Sequence, residues 1–310
     1  MKRHLIIICF LLVLPFEVIA QEYDSLHIFL QKGGKALYDK NYPKAKTEYE
    51  QALRFDPANL IALKNLGVIS SATGNQIKAK DYFFQAYRID PSDHFVCNNL
   101  GVIFSNEGDN NSAIDFYNQA LTGYPENVLY LNNLGQSLSK IGRLGLAIET
   151  LRKAYTLNPE QQNTLFLLAN AFAASNNMDS AEVYYEKCLA TGQQTDELFY
   201  FLGTVKRSLG KNSEAEDNFI KSIELNPDNP NSRMALGMLR MKMEKYQESL
   251  IDFETVLKIN PKIIDAKIST GLCYYLMKDY DKSNAVLKEL FAADSSLGFK
   301  MLDIIKQYNR

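Results

Sequence analysis

The chain has no tryptophan, only three histidines, and four cysteines in 310 residues. None of the short motifs that announce chemistry is present: no phosphate loop, no GxGxxG, no HExxH, no GxSxG and no paired-cysteine motif. Nucleotide hydrolysis, dinucleotide chemistry, zincin proteolysis and serine-hydrolase catalysis therefore have no sequence basis, and no metal or cofactor is expected. Charge of one sign is also missing. Lys plus Arg number 34 against 36 for Asp plus Glu, which leaves no electrostatic footprint for nucleic acid or an anionic membrane. The 16 glycines are scattered, so no flexible linker divides the chain.

What is there can fold. Hydrophobic residues make up 46% and charged residues 23%, enough for a sizeable core and against general disorder. The N-terminus stands apart. Lys2, Arg3 and His4 form a basic start, Leu5 to Phe16 an apolar run, and Val18 and Ala20 place small residues before Gln21. That order is the layout of a secretory signal peptide over residues 1–20, with the mature chain starting at Gln21. The apolar run falls short of the roughly 20 residues a spanning helix needs. The expectation is export to the periplasm or cell envelope with no membrane insertion after cleavage, the alternative being an uncleaved N-terminal anchor.

A period then takes over. Prolines stand at 57, 91, 125, 159, 227 and 261, spaced by 34 residues or twice that, with Gln193 in the vacant slot. On the same grid lie Gly33, Gly67, Gly101, Gly135, Ala169, Gly203, Gly237 and Gly271. Another column reads Ala45, Ala79, Ala113, Ala147, Ala181, Ala215, Ser249 and Ser283, and another Tyr49, Phe83, Tyr117, Leu151, Tyr185, Phe219, Phe253 and Leu287. An unbroken period of this length signals a solenoid of small repeated units.

These columns resemble the tetratricopeptide repeat. Leu66, Gly67, Ala79, Phe83, Ala86 and Pro91 match its pattern in one unit, and Leu100, Gly101, Ala113, Tyr117, Ala120 and Pro125 in the next. The resemblance implies an all-α, right-handed solenoid of eight 34-residue helix-turn-helix repeats at 26–59, 60–93, 94–127, 128–161, 162–195, 196–229, 230–263 and 264–297. Residues 21–25 precede them as a short N-terminal segment. Residues 298–310 read as one amphipathic helix capping the last repeat or, alternatively, meeting a partner.

It also implies that one face of each first helix lines a concave groove. Asn65, Asn99 and Asn133 share the sixth position of successive repeats and form a row there, with Asn98 and Asn132 beside two of them. A carboxamide offers a donor and an acceptor side by side, which matches an extended peptide backbone. Ile61, Phe95, Leu129, Val68 and Val102 supply apolar groups along the same face, and Asn170 continues the wall. Two readings stay open: the asparagines hold a peptide, or they bridge neighbouring repeats. The terminal-carboxylate clamp used by some members of the family is not matched, since Lys64 is followed by Val68, and Leu129 and Asn133 replace the needed cations.

Beyond the signal segment, Cys97, Cys188 and Cys273 fall at packing positions in non-adjacent repeats, so they are expected free and buried. His27 and His94 are expected on the surface. Repeat 5, with Ala169 for glycine and no closing proline, admits either a flexible joint or ordinary drift. With the repeats occupying nearly the whole mature chain, the expected function is non-catalytic protein–protein interaction, binding a protein or peptide partner in the groove and no nucleic acid. The alternative is a scaffold assembling folded envelope proteins.

Overall fold

The computed structural model describes residues 16–308 apart from Gln193, with side chains from Ser25 onward. Most of the expected signal segment, residues 1–15, lies outside the described residues. The described residues form seventeen helices and no strand. None of these helices is long and apolar enough to cross a membrane. The chain divides into two compact units, one ending at Gly142 and the other starting at Arg143.

The first unit contains α1 (Phe16–Tyr38), α2 (Tyr42–Phe55), α3 (Leu60–Ala72), α4 (Gln76–Ile89), α5 (His94–Asn106), α6 (Asn110–Gly123) and α7 (Val128–Lys140). Each helix packs on the next in sequence. Helix starts are fixed by side chains that the period repeats. Asn41, Asn59, Asn75, Asp93, Asp109 and Asn127 each accept a hydrogen bond from the backbone N–H three residues on, satisfying a donor that the helix cannot.

The second unit contains α8 (Leu144–Leu157), α9 (Gln162–Ala174), α10 (Met178–Ala190), α11 (Asp196–Ser208), α12 (Asn212–Leu225), α13 (Pro230–Lys242), α14 (Tyr246–Ile259), α15 (Ile264–Leu276), α16 (Tyr280–Ala293) and α17 (Ser295–Tyr308). Successive helices again pack pairwise, through α9–α10 and α10–α11 without a break despite the missing proline of repeat 5. The last helix lies on α16 and α15 and buries Met301 completely. Ser249 and Ser283, in the alanine column, donate to the carbonyls of Gly237 and Gly271 at 2.7 and 3.0 Å, so a hydroxyl is accommodated inside the core.

Close approach explains the glycine column. A Cβ on Gly67 would sit 2.7 Å from the Phe83 ring, and one on Gly101 would sit 2.6 Å from the Tyr117 ring. The aromatic fills the space that the missing side chain leaves, and Phe83 is fully buried there. The tight turn inside each helix pair has its own column. Lys40, Gly74, Gly108, Gly142, Asn176, Gly210, Glu244 and Lys278, again 34 apart, all have φ between +55° and +86°. Half of these left-handed positions carry a side chain that disfavours the conformation.

Candidate protein-interaction surfaces

In the first unit Ile61, Phe95 and Leu129 occupy equivalent places one turn before Asn65, Asn99 and Asn133, so the two rows share one face of α3, α5 and α7. Ile61 is 55% exposed and Leu129 53%, large apolar groups left open on a regular spacing. Phe95 is half-buried, edge-on to Phe83 at 6.4 Å, with the Lys64 ammonium 5.4 Å from its ring centre. Lys64 is itself held by Asp93 at 2.7 Å. Val68 and Val102 are half-buried one turn further along.

The asparagines do not behave alike. Asn65 and Asn99 are half-buried and turn their amides onto their own helices, donating to the carbonyls of Ile61 at 2.9 Å and Phe95 at 2.8 Å. Asn133 instead donates across to Asn98 Oδ1 at 2.9 Å. Asn98 and Asn132, expected on the groove wall, are buried, and Asn132 completely so. Their fifth position lies a single 100° step from the inward fourth, which draws it into the packed seam between helices. His94, expected on the surface, is half-buried as well: its Nδ1 lies 2.7 Å from the Tyr130 hydroxyl, and its ring packs against Tyr124.

In the second unit Asn170 accepts a hydrogen bond from the Tyr185 hydroxyl and is half-buried by it. Here the inner positions carry rings: Phe166 lies 5.8 Å from Phe201, Phe201 stacks on Tyr185 at 6.2 Å, and Tyr200 meets Phe219 at 6.2 Å. Burial pushes the Tyr185 phenol up, with the Glu197 charge adding to it. Met238 is exposed, while Met234 and Met241 pack against the Phe253–Cys273 core.

Cys97, Cys188 and Cys273 are free and buried. Burial pushes the Cys97 thiol up to about 11, with Asp93 and Asp90 contributing, so little reactive thiolate forms near neutral pH. Among the described residues, no group of three or more His, Cys, Asp or Glu is placed to hold a metal.

One profile described as tetratricopeptide repeat matches residues 96–127, 129–161, 196–229 and 230–263, and a second profile of that description matches 164–197, together more than half of the chain. The chain belongs to the tetratricopeptide repeat family. No curated protein matches it. Solved tetratricopeptide repeat structures do. A tetratricopeptide repeat protein from Parabacteroides merdae is 18% identical with a TM-score of 0.61, over 81% of this chain and 99% of that one. PilW, a type IV pilus biogenesis factor, is 21% identical with a TM-score of 0.62, over 68% and 98%. YrrB, a protein of this family with an unusual peptide-binding site, is 23% identical with a TM-score of 0.53, over 60% and 97%. At these identities the likeness is one of fold.

This tetratricopeptide repeat protein also carries an ionic pattern that sequence reading missed. Lys206 is mostly buried and lies 2.7 Å from Glu214, 3.2 Å from Glu186 and 3.9 Å from buried Glu182, which Lys211 reaches at 2.6 Å. One repeat on, Arg240 lies 2.8 Å from Glu216 and 2.9 Å from buried Asp252, with Lys245 2.7 Å from Glu216. Glu182 with Lys206 and Lys211, and Glu216 with Arg240 and Lys245, are the same three positions shifted by 34. Burial works against the Lys206 charge, but Glu214 and Glu186 outweigh it and hold the ammonium above its ordinary value. The signal was available as a recurrent charge column, but its meaning needed the helix pairs to be stacked.

Proposed function

We propose that this protein is a non-catalytic binding module that holds an extended segment of a protein partner against the α3–α5–α7 face of its first unit. The observation that carries the reading is the row of Ile61, Phe95 and Leu129, exposed or half-exposed apolar groups in register with the row Asn65, Asn99 and Asn133. Apolar groups left open at fixed spacing suit alternate side chains of an extended peptide. An asparagine has two donor hydrogens and one acceptor, and the bonds from Asn65 and Asn99 to their own helices use one hydrogen each. The remaining capacity suits a peptide backbone. The absence of catalytic motifs in the sequence supports a non-catalytic role.

Export belongs to the same proposal. The basic, apolar and small-residue order of residues 1–20 directs the chain to the periplasm or envelope, where sequencing the mature N-terminus should find Gln21. The likeness to PilW, a pilus biogenesis factor, is compatible with that setting.

The deciding experiment selects short extended peptides from a displayed library on the purified protein. Replacing Asn65, Asn99 and Asn133 together with Ala should weaken retained peptides on the order of ten- to a thousandfold, at roughly 0.5–1.5 kcal/mol per hydrogen bond. Phe95→Ala should weaken some peptides far more than others. Recovery of folded proteins alone, unaffected by the triple replacement, would favour a scaffold.

A further inference from the structure

In the second unit the helix positions equivalent to Ile61, Phe95 and Leu129 are Asn163, Glu197, Asn231 and Asp265. The face changes from apolar to polar and acidic, while the rings of Phe166, Tyr200 and Phe201 stand behind it. Two clefts open on this face, of about 250 and 360 Å³, and Glu197 lines both. Asn163 and Phe166 wall the first, and Tyr200, Phe201 and Asn231 wall the second. Among the described residues, no lysine or arginine lines either cleft.

Several carboxylates of this unit already have partners. Glu182, Glu214, Glu216 and Asp252 belong to the ionic networks, and Asp265 is held by Lys300 at 2.8 Å. Asp196, in the wall of the second cleft, accepts from Asn226 and Asn229 at 2.9 and 3.2 Å. Glu197 is exposed and forms no ion pair with any described residue. Tyr200 and Phe201 lie three and four residues after it, so both rings share its helix face.

We infer that the clefts on either side of Glu197 form a subsite for an arginine side chain of a bound protein segment. The guanidinium pairs with the Glu197 carboxylate and lays its plane against the Tyr200 ring, with the Phe201 ring inclined to it alongside. Charge complementarity selects a cation, and a planar, weakly hydrated one is the kind that both pairs with a carboxylate and stacks on an aromatic face. The inference rests on the reading of the chain as a protein binder, but not on the asparagine row, which belongs to the first unit.

The test uses the full chain and two short peptides that are identical except for a central arginine or citrulline, a neutral group of the same shape. Binding is followed by NMR titration. The arginine peptide should bind at least about tenfold more tightly than the citrulline peptide, and Glu197→Gln should abolish that preference while circular dichroism shows an unchanged melt. The Asn65, Asn99 and Asn133 triple variant should keep the preference, so loss of the backbone-holding row and loss of the arginine site read out separately. Equal binding of the two peptides, no saturable binding of the arginine peptide at millimolar concentration, or a preference that survives in Glu197→Gln would each overturn the inference.

Discussion

Asn133 on α7 donates to Asn98 Oδ1 on α5 at 2.9 Å, a side-chain bridge between first helices of neighbouring repeats. Asn65 and Asn99, at the same repeat position, donate to their own helices instead. Asn133→Ala strands a buried acceptor and should cost about 1–3 kcal/mol. Asn65→Ala and Asn99→Ala remove a half-exposed side chain from a helix that alanine favours, and should change stability by no more than about 0.5 kcal/mol. Urea unfolding of the three single variants separates these outcomes.

Gly101 faces the Tyr117 ring so closely that a Cβ would lie 2.6 Å from it. Tyr117 is buried, so the ring has nowhere to move. Gly101→Ala should therefore destabilise by about 1–3 kcal/mol despite alanine's better helix propensity. A rise in melting temperature would show that the helix pair can separate slightly at no cost.

Much of this was legible in the sequence because it repeats. The glycine, alanine and aromatic columns marked out the helix pairs, and the turns between paired helices recur on the same 34-residue grid at Gly74, Gly108, Gly142 and Gly210. The candidate surface was legible only in outline. Adjacency to Asn99 and Asn133 put Asn98 and Asn132 on the expected wall, but one first helix viewed by itself does not show where its neighbour lies, and both are buried. The networks at Lys206 and Arg240 escaped for a similar reason: each joins three helices, and no single helix shows their charges meeting.

The turn column offers a stabilising change. Glu244 adopts φ +62° in a slot where four other repeats use glycine, and its side chain is exposed. Glu244→Gly should remove the steric penalty of the left-handed conformation and raise stability by about 1 kcal/mol. Asn176→Gly, at φ +61°, should gain less because asparagine tolerates that region. Thermal melts of both variants, compared with the parent, check the ranking.

Acid should loosen the second unit through its carboxylates. Burial alone would raise the Glu216 carboxyl, but hydrogen bonds from Lys245 and Arg240 outweigh it and hold the group below its ordinary 4.5. Glu214 is held below 4.5 by Lys206, and Asp196 below 3.8 chiefly by Asn226. A depressed folded-state value gives stability that is complete above the ordinary value and is lost as pH falls through the folded one. Asp252 acts in the opposite sense, because burial raises its carboxyl against the pull of Arg240, so its protonation on acidification offsets part of the loss. Denaturant midpoints should be level from neutral pH down to about 4.5 and fall below it. The fall should be shallower in Glu216→Gln.

Arg240 gives the strongest single forecast. Its guanidinium is largely buried between Glu216 at 2.8 Å and Asp252 at 2.9 Å, and both carboxylates are more buried than it is. Arg240→Met would leave two negative groups facing each other out of water, with only Lys245 remaining on Glu216. Removing one partner from such a set costs about 3–5 kcal/mol, whereas the intact set contributes little beyond an apolar replacement of the same volume. Replacing Arg240, Glu216 and Asp252 together with Met, Leu and Leu should therefore recover most of the stability that the single change loses. Lys153→Met serves as the control, because its pair with Glu149 at 3.5 Å is exposed on both sides and should be worth less than about 1 kcal/mol. A single Arg240→Met variant as stable as the parent would mean that Glu216 and Asp252 reach water once the guanidinium is gone, and the network would then be a surface feature.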